Sequence, residues 1–268
     1  VQIAGVYNHV RGKTNGIQIS TANYSRGLVE GMQISALGNL ANNDLRGIQI
    51  TGLLNIVRKD TKGFQLSGFG NAALQNMNGV QISGIINYAK RNKGLQIGLI
   101  NVADTSSGVS LGLINVVRRG YHKLSISSND LINANVSFKS GNANLYTIFL
   151  LGKNYEKNKK IETFGFGFGH DFFAGKRISV STELTAQHLH LGRWDYANIL
   201  NKFQLNLQLK IMKGLSIYGG PVLNYYVTEA PLNYLAANGY QSQVAPSRSK
   251  IINGNSAWIG WSAGINFF

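Results

Sequence analysis

The chain has 268 residues, of which 44% are hydrophobic and only 14% charged, with 32 Gly, 3 Pro and no cysteine. Soluble domains average about 25% charged residues, so the composition argues against an ordinary cytoplasmic enzyme and for a β-rich chain with an uncharged polar face; lack of cysteine excludes disulfides, thiolate chemistry and Cys-bound zinc. The 26 Lys and Arg against 11 Asp and Glu, net +15, point to nucleic acid or an anionic membrane surface, and no apolar run reaches the ~18 residues of a transmembrane helix.

The chain opens at Val1 inside a strand-like segment, which reads as a mature or N-terminally incomplete chain. Residues 1–117 then repeat a short unit eight times. Its anchor falls at Gln2, Gln18, Gln33, Gln49, Gln65, Gln81 and Gln96, with Ser110 in the eighth place. An Asn follows five or six residues later, at Asn8, Asn23, Asn39, Asn55, Asn71, Asn87, Asn101 and Asn115. Gly precedes the anchor by two in seven of the eight units. In the fourth unit Ile48, Ile50, Gly52, Leu54 and Ile56 alternate with Gln49, Thr51, Leu53 and Asn55. Period two means a strand, and polar stretches such as "RKDTK" and "KRNK" are turns. Where the Asn comes five residues after the anchor, bulges near Thr21, Gly98 and Gly112 would restore the phase. Two architectures fit: a parallel β-solenoid with one coil per unit and stacked Asn, or an antiparallel membrane barrel with one strand per unit. The repeats alone leave both open.

From Ile132 the repeat dissolves but alternation persists. Strands are expected over Ile132–Phe138, Leu145–Leu151, Glu162–Phe173, Ile178–Leu189, Phe203–Met212, Leu215–Val227 and Trp258–Phe268. Their connections alternate between short ("KSGNAN", "AGKR", "KG") and longer ("GKNYEKNKK", "HLGRWDYANILN", and 228–256). That asymmetry is characteristic of outer-membrane barrels, with short turns periplasmic, and a solenoid gives no reason for it. The last strand, "WIGWSAGINFF", ends on an aromatic residue, as outer-membrane barrels commonly do.

The expected fold is therefore all-β, one antiparallel transmembrane barrel over 1–268. Eight repeat strands in 1–117 and seven in 118–268 make fifteen. Even strand numbers call either for one more strand before Val1, about sixteen in all, or for a short strand at Lys123–Ser127. In this barrel Gln33, Gln49, Gln65, Gln81, Asn39, Asn55, Asn71, Asn87 and Glu183 face the lumen, where Glu183 can pair with a basic residue on a neighbouring strand. Leu37, Leu53, Phe69 and Ile85 share that side and weigh against a wide pore. Counting back from the last strand places the turns after even-numbered repeats outside. They form a basic rim of Arg58, Lys59, Lys62, Lys90, Arg91, Lys93, Arg118 and Arg119, joined by Lys157, Lys159 and Lys160 from a longer loop. Such a rim suits phosphorylated lipopolysaccharide.

The "G-h-Q-[IL]-[SG]-x-x-N" units (h is apolar), the following "GVSLGLINVVRRGYHKLSIS", then "ELTAQHL" at Glu183–Leu189, "GP" at Gly220–Pro221 and the aromatic last strand together resemble the surface-repeat outer-membrane β-barrel proteins common in Bacteroidota. The resemblance covers essentially the whole chain. It implies a fold and an integral Gram-negative outer-membrane location, and it carries no activity or functional residues over.

Chemistry-bearing patterns are sparse. His188 and His190 lie on one face of a strand at a spacing that can hold zinc or copper, but no third ligand stands near them in sequence. "GFGFGHD" at Gly165–Asp171 lacks the Lys and helix of a phosphate loop and reads as a lipid-facing strand. The basic residues sit singly in turns, which disfavours nucleic acid. The expectation is a non-enzymatic barrel without metal or cofactor. Its partners would be outer-membrane lipid, lipopolysaccharide and other outer-membrane or periplasmic proteins of an envelope complex. A passive porin lined by Gln, Asn and Ser, and a soluble solenoid adhesin, are the alternatives.

Overall fold

A computed structural model describes residues 1–156, 161–175, 177–240, 244, 249–252 and 255–268. Among the described residues it is all-β apart from the short helix Leu232–Ala237 and the helical residues Tyr240 and Val244. The chain forms two compact units, Val1–Gly120 with Ser140–Leu145, and Tyr121–Lys139 with Tyr146–Phe268.

The first unit is a parallel stack of coils, and this corrects the expectation of one membrane-crossing strand per repeat. The fourth repeat folds as Leu45–Thr51, a bend at Gly52 and Leu53, and Leu54–Val57. Each position pairs in parallel with its own copy in the next coil. Gln33 pairs with Gln49, Gln49 with Gln65, and Gln65 with Gln81. Asn39 likewise pairs with Asn55, Asn55 with Asn71, and Asn71 with Asn87. The physical reason is the identity of the units. In-register parallel stacking sets every amide against an identical amide, donor to acceptor, whereas an antiparallel hairpin sets unlike residues opposite one another. The fourth repeat's strands of 7 and 4 residues are also shorter than the roughly 9–11 needed to cross a bilayer, while Thr14–Ser25 and Val29–Ala41 run on for 12 and 13 residues.

The register shifts between Ser20 and Ala22, at the bulge expected near Thr21. No bulge forms at Gly98 or Gly112. There the coil loses a residue at the bend, and Ile97 and Ile100 stay paired with Leu111 and Ile114. The Gly two residues before each anchor has a steric cause. A Cβ on Gly47, Gly63 or Gly79 would overlap the carbonyl oxygen of the same Gly one coil earlier. Apolar side chains fill the coil interior toward the turns, among them Val29, Ala41, Leu45 and Val57.

The second unit is a closed antiparallel barrel of eight strands. In chain order they are Tyr121–Asn129, Ala134–Gly141, Tyr146–Lys153, Glu162–Ala174, Ile178–His190, Asn198–Met212, Leu215–Thr228 and Asn255–Phe267. The ring closes where the first strand pairs with the last, from Leu124 opposite Phe267 to Asn129 opposite Ser262. All seven strands read from the sequence are present. The short strand proposed at Lys123–Ser127 is the eighth, and it supplies the even number that parity demanded. The count is eight rather than sixteen because the repeats contribute none.

Candidate functional site

The expected lumen-facing residues divide between the two units. Gln33, Gln49, Gln65, Gln81, Asn39, Asn55, Asn71 and Asn87 line no pore. They fill the inside of the coils, all at most 3% exposed, as two hydrogen-bonded ladders. Along one, Asn39 Nδ2 donates to Asn55 Oδ1 at 2.9 Å, Asn55 to Asn71 at 2.9 Å and Asn71 to Asn87 at 3.0 Å. Each Asn spends further N–H capacity on a backbone carbonyl of the next coil, as Asn55 does on Leu66 O at 2.8 Å. The Gln ladder runs in the opposite sense: Gln49 Nε2 donates back to Gln33 Oε1 at 2.8 Å and Gln65 to Gln49 at 2.9 Å. The two rows of amide dipoles therefore oppose each other along the stack. Buried amides are costly only when unpaired, and here each finds its partner in its own repeat copy.

Leu37, Leu53, Phe69 and Ile85 were expected to point inward, and the structure turns them outward. They lie at the bend, 40–53% exposed, because the bend after Gly52 and its equivalents breaks the two-residue phase. The basic residues also move. Arg58, Lys59, Lys62, Lys90, Arg91, Lys93, Arg118 and Arg119 are exposed along the turn edge of the stack. The turns of odd and even repeats share this edge and do not alternate between two sides. Lys157, Lys159 and Lys160 lie outside the described residues.

In the barrel the alternation has the polarity of a bilayer protein. On the sixth strand Phe203, Leu205, Leu207 and Leu209 point out and are 42–59% exposed, while Lys202, Asn206 and Gln208 point in and are at most 3% exposed. Leu124, Ile126, Val136, Phe138, Leu184 and Ile265 continue the apolar exterior around the ring.

Glu183 does face the lumen and pairs with a lysine, but across the barrel rather than beside it. Lys139 Nζ of the second strand reaches Glu183 Oε1 of the fifth at 2.5 Å, and Tyr146 Oη donates to the same oxygen at 3.0 Å. Tyr121 stacks on Tyr146 at 4.5 Å between ring centres. Lys123 lies 4.0 Å from Asp171 and donates to Tyr121 and to Gln208. Gly169 of "GFGFGHD" faces this network: a Cβ there would overlap the Tyr146 ring. A residual cavity of about 30 Å³ touches Ser137, Glu183, Gln187, Lys202 and Tyr218, room for about one water.

At the long-loop end lies a buried apolar cluster. It joins Ile132, Leu189, Leu200 and Trp258 of the wall region to Leu235 and Val244 of the long connection, and Trp258 Nε1 donates to Asp130 Oδ2 at 2.6 Å. Lys139, Lys123, Asp171 and the two tyrosines escape a motif search because no local pattern announces them. Their inward phase, as in Asn135, Ser137 and Lys139, is the signal that finds them. His188 and His190 stack against Trp194 at 5.5 and 4.3 Å. No group of three metal-ligating side chains occurs among the described residues.

The chain matches no protein-family model and no curated protein. Among solved structures it is similar to the outer membrane protein Ail of Yersinia pestis, at 12% identity over 56% of this chain and 99% of that one, with TM-score 0.31. It is also similar to Neisserial surface protein A, at 14% identity over 55% of this chain and 92% of that one, with TM-score 0.28.

Proposed function

We propose that the chain is an integral outer-membrane protein with a closed lumen, acting as a structural or accessory subunit of the envelope rather than as a pore or an enzyme. The observation that carries this reading is the inverted barrel wall: a continuous apolar exterior around buried Lys, Glu, Asn and Gln. Such a body is insoluble in water and matched to hydrocarbon, and closure leaves no unpaired strand edge to lipid. An eight-stranded barrel has a bore that side chains can fill. Here the Lys139–Glu183–Tyr146 group fills the middle and the Trp258 cluster lies at one end.

This favours a barrel without conductance over the porin reading. The experiment is reconstitution of the full chain. Heat-modifiable gel mobility together with an absence of conductance steps in planar bilayers is the expected result. Ohmic steps would favour the porin, and recovery in the soluble fraction without detergent would remove the membrane assignment altogether.

A further inference from the structure

The coiled unit is polarised across its section. Residues 1–120 hold twelve basic and four acidic side chains. All sixteen, from Arg11 and Lys13 to Arg118 and Arg119, lie in the turns or within the first two or last three residues of an adjoining strand. None lies at the bend. The turn edge therefore carries net +8. The bend edge carries a ridge made by successive coils: Leu37, Leu53, Phe69, Ile85, Leu99 and Leu113, 40–55% exposed. Behind this ridge the outward side chains on both arms of a coil stay apolar, as with Ile48, Ile50 and Ile56 in one coil, while Gln49, Thr51 and Asn55 are buried within. A water-soluble stack would place aliphatic ladders inside and polar ones outside. Near the bend this unit does the reverse.

We infer that the coiled unit seats in one leaflet of a phospholipid bilayer, with its bend edge among acyl chains and its turn edge among anionic headgroups. Charge decides the occupant. A protein groove would bring its own polar groups to meet the ridge. A leaflet presents the same succession as the coil, negative phosphate at one level and hydrocarbon below it. The depth agrees. From Ile48 to Thr51 the strand descends about 10 Å at ~3.3 Å per residue before the bend, within the about 15 Å of half of a ~30 Å hydrocarbon core. The coil enters one leaflet and does not span. The inference rests on the membrane reading of the barrel, and the same experiment separates the two.

The chain has no cysteine, so single nitroxide labels report cleanly. Labels at Leu53→Cys and Ile85→Cys mark the bend, Lys59→Cys and Lys93→Cys the turns, and Leu207→Cys the barrel wall. All five positions are exposed, so the substitutions leave the packing intact. The full chain is reconstituted in vesicles of three parts phosphatidylethanolamine to one part phosphatidylglycerol. Accessibility to oxygen and to a water-soluble nickel chelate is then read by power saturation. The expected result is a several-fold higher oxygen-to-nickel ratio at 53, 85 and 207 than at 59 and 93. Bend labels as open to nickel as turn labels, with 207 in lipid, would overturn the leaflet inference and leave the barrel reading standing. Nickel access at 207 as well would overturn both. Bend labels shielded from both reagents would overturn it in favour of a protein covering the ridge.

Discussion

In the coiled unit Asn55 lies between Asn39 and Asn71, its own copies; in the barrel Lys139 finds Glu183 three strands away. Both units bury polar side chains and turn apolar ones outward, yet they satisfy the buried groups differently. The coils use neutral amides paired along the stack, each bond a copy of the last. The barrel uses charges paired across a bore, each contact unique. Repetition allows the first solution, since a residue that can hydrogen-bond to itself needs no other partner. Without repetition a buried group depends on one complementary residue far away in sequence.

The sharpest way to break this contrast is at the unique pair. Glu183→Leu leaves Lys139 buried without its anion and is expected to cost the barrel about 3–5 kcal/mol, seen as a lower temperature for the heat-induced mobility shift. Adding Lys139→Met removes the stranded charge and should restore most of the loss, since apolar replacements of a buried pair are commonly tolerated. No recovery in the double variant would mean that the two side chains do not depend on each other.

Next is the repeated contact. Asn55→Leu removes the partner of Asn71 Oδ1 and one acceptor of Asn39 Nδ2, which keeps its bond to Ile50 O, at about 1–3 kcal/mol for each buried unsatisfied group. Proteolysis within residues 1–120 should rise while the barrel's mobility shift stays at the wild-type temperature. A barrel that melts earlier as well would refute the separation of the two stabilities.

A smaller effect tests the close approach of the coils. Gly63→Ala forces a methyl against the Gly47 carbonyl and should cost about 1–3 kcal/mol, as overpacking does. Gly12→Ala, with nothing within 4 Å of the added carbon, should be silent in the same proteolysis assay.

The smallest effect is at the surface. The hydrogen bond from Lys13 holds the Glu30 carboxyl below its ordinary value of 4.5. A lowered carboxylate stabilises the fold fully above that ordinary value, and the contribution is lost as pH falls through the folded one. Acidification below about 4.5 should slightly raise hydrogen exchange in Thr14–Ser25, after correction for intrinsic rates, and Glu30→Gln should abolish that increment. An unchanged pH response in the variant would show that the pair contributes nothing.

Much of the barrel is legible in the sequence. Seven strand positions follow from alternation, and so does the inward phase of Glu183. "KLSIS" is weaker only because it adjoins the last repeat. The repeat register is equally legible, since Gln and Asn recur at fixed spacing. Leu53 is where reading by period fails. Strict alternation groups it with Gln49 and Asn55, but the bend at Gly52 rotates it to the surface. Its exposure depends on a change of direction that a count of residues does not register.

The amino-acid sequence by itself determined that the chain is all-β, that its buried rows are polar, and that its first 117 residues repeat. Those follow from local periodicity and side-chain chemistry. Which strands become neighbours was decided only by the tertiary structure. A ten-residue alternating segment can stack on its copy or pair with a reversed neighbour, and its own sequence has the same period in either case. The choice lies in the partners of its backbone and amide groups. Identical partners select parallel coils in 1–120, and the pairing of Leu124 with Phe267 closes the remainder into a ring.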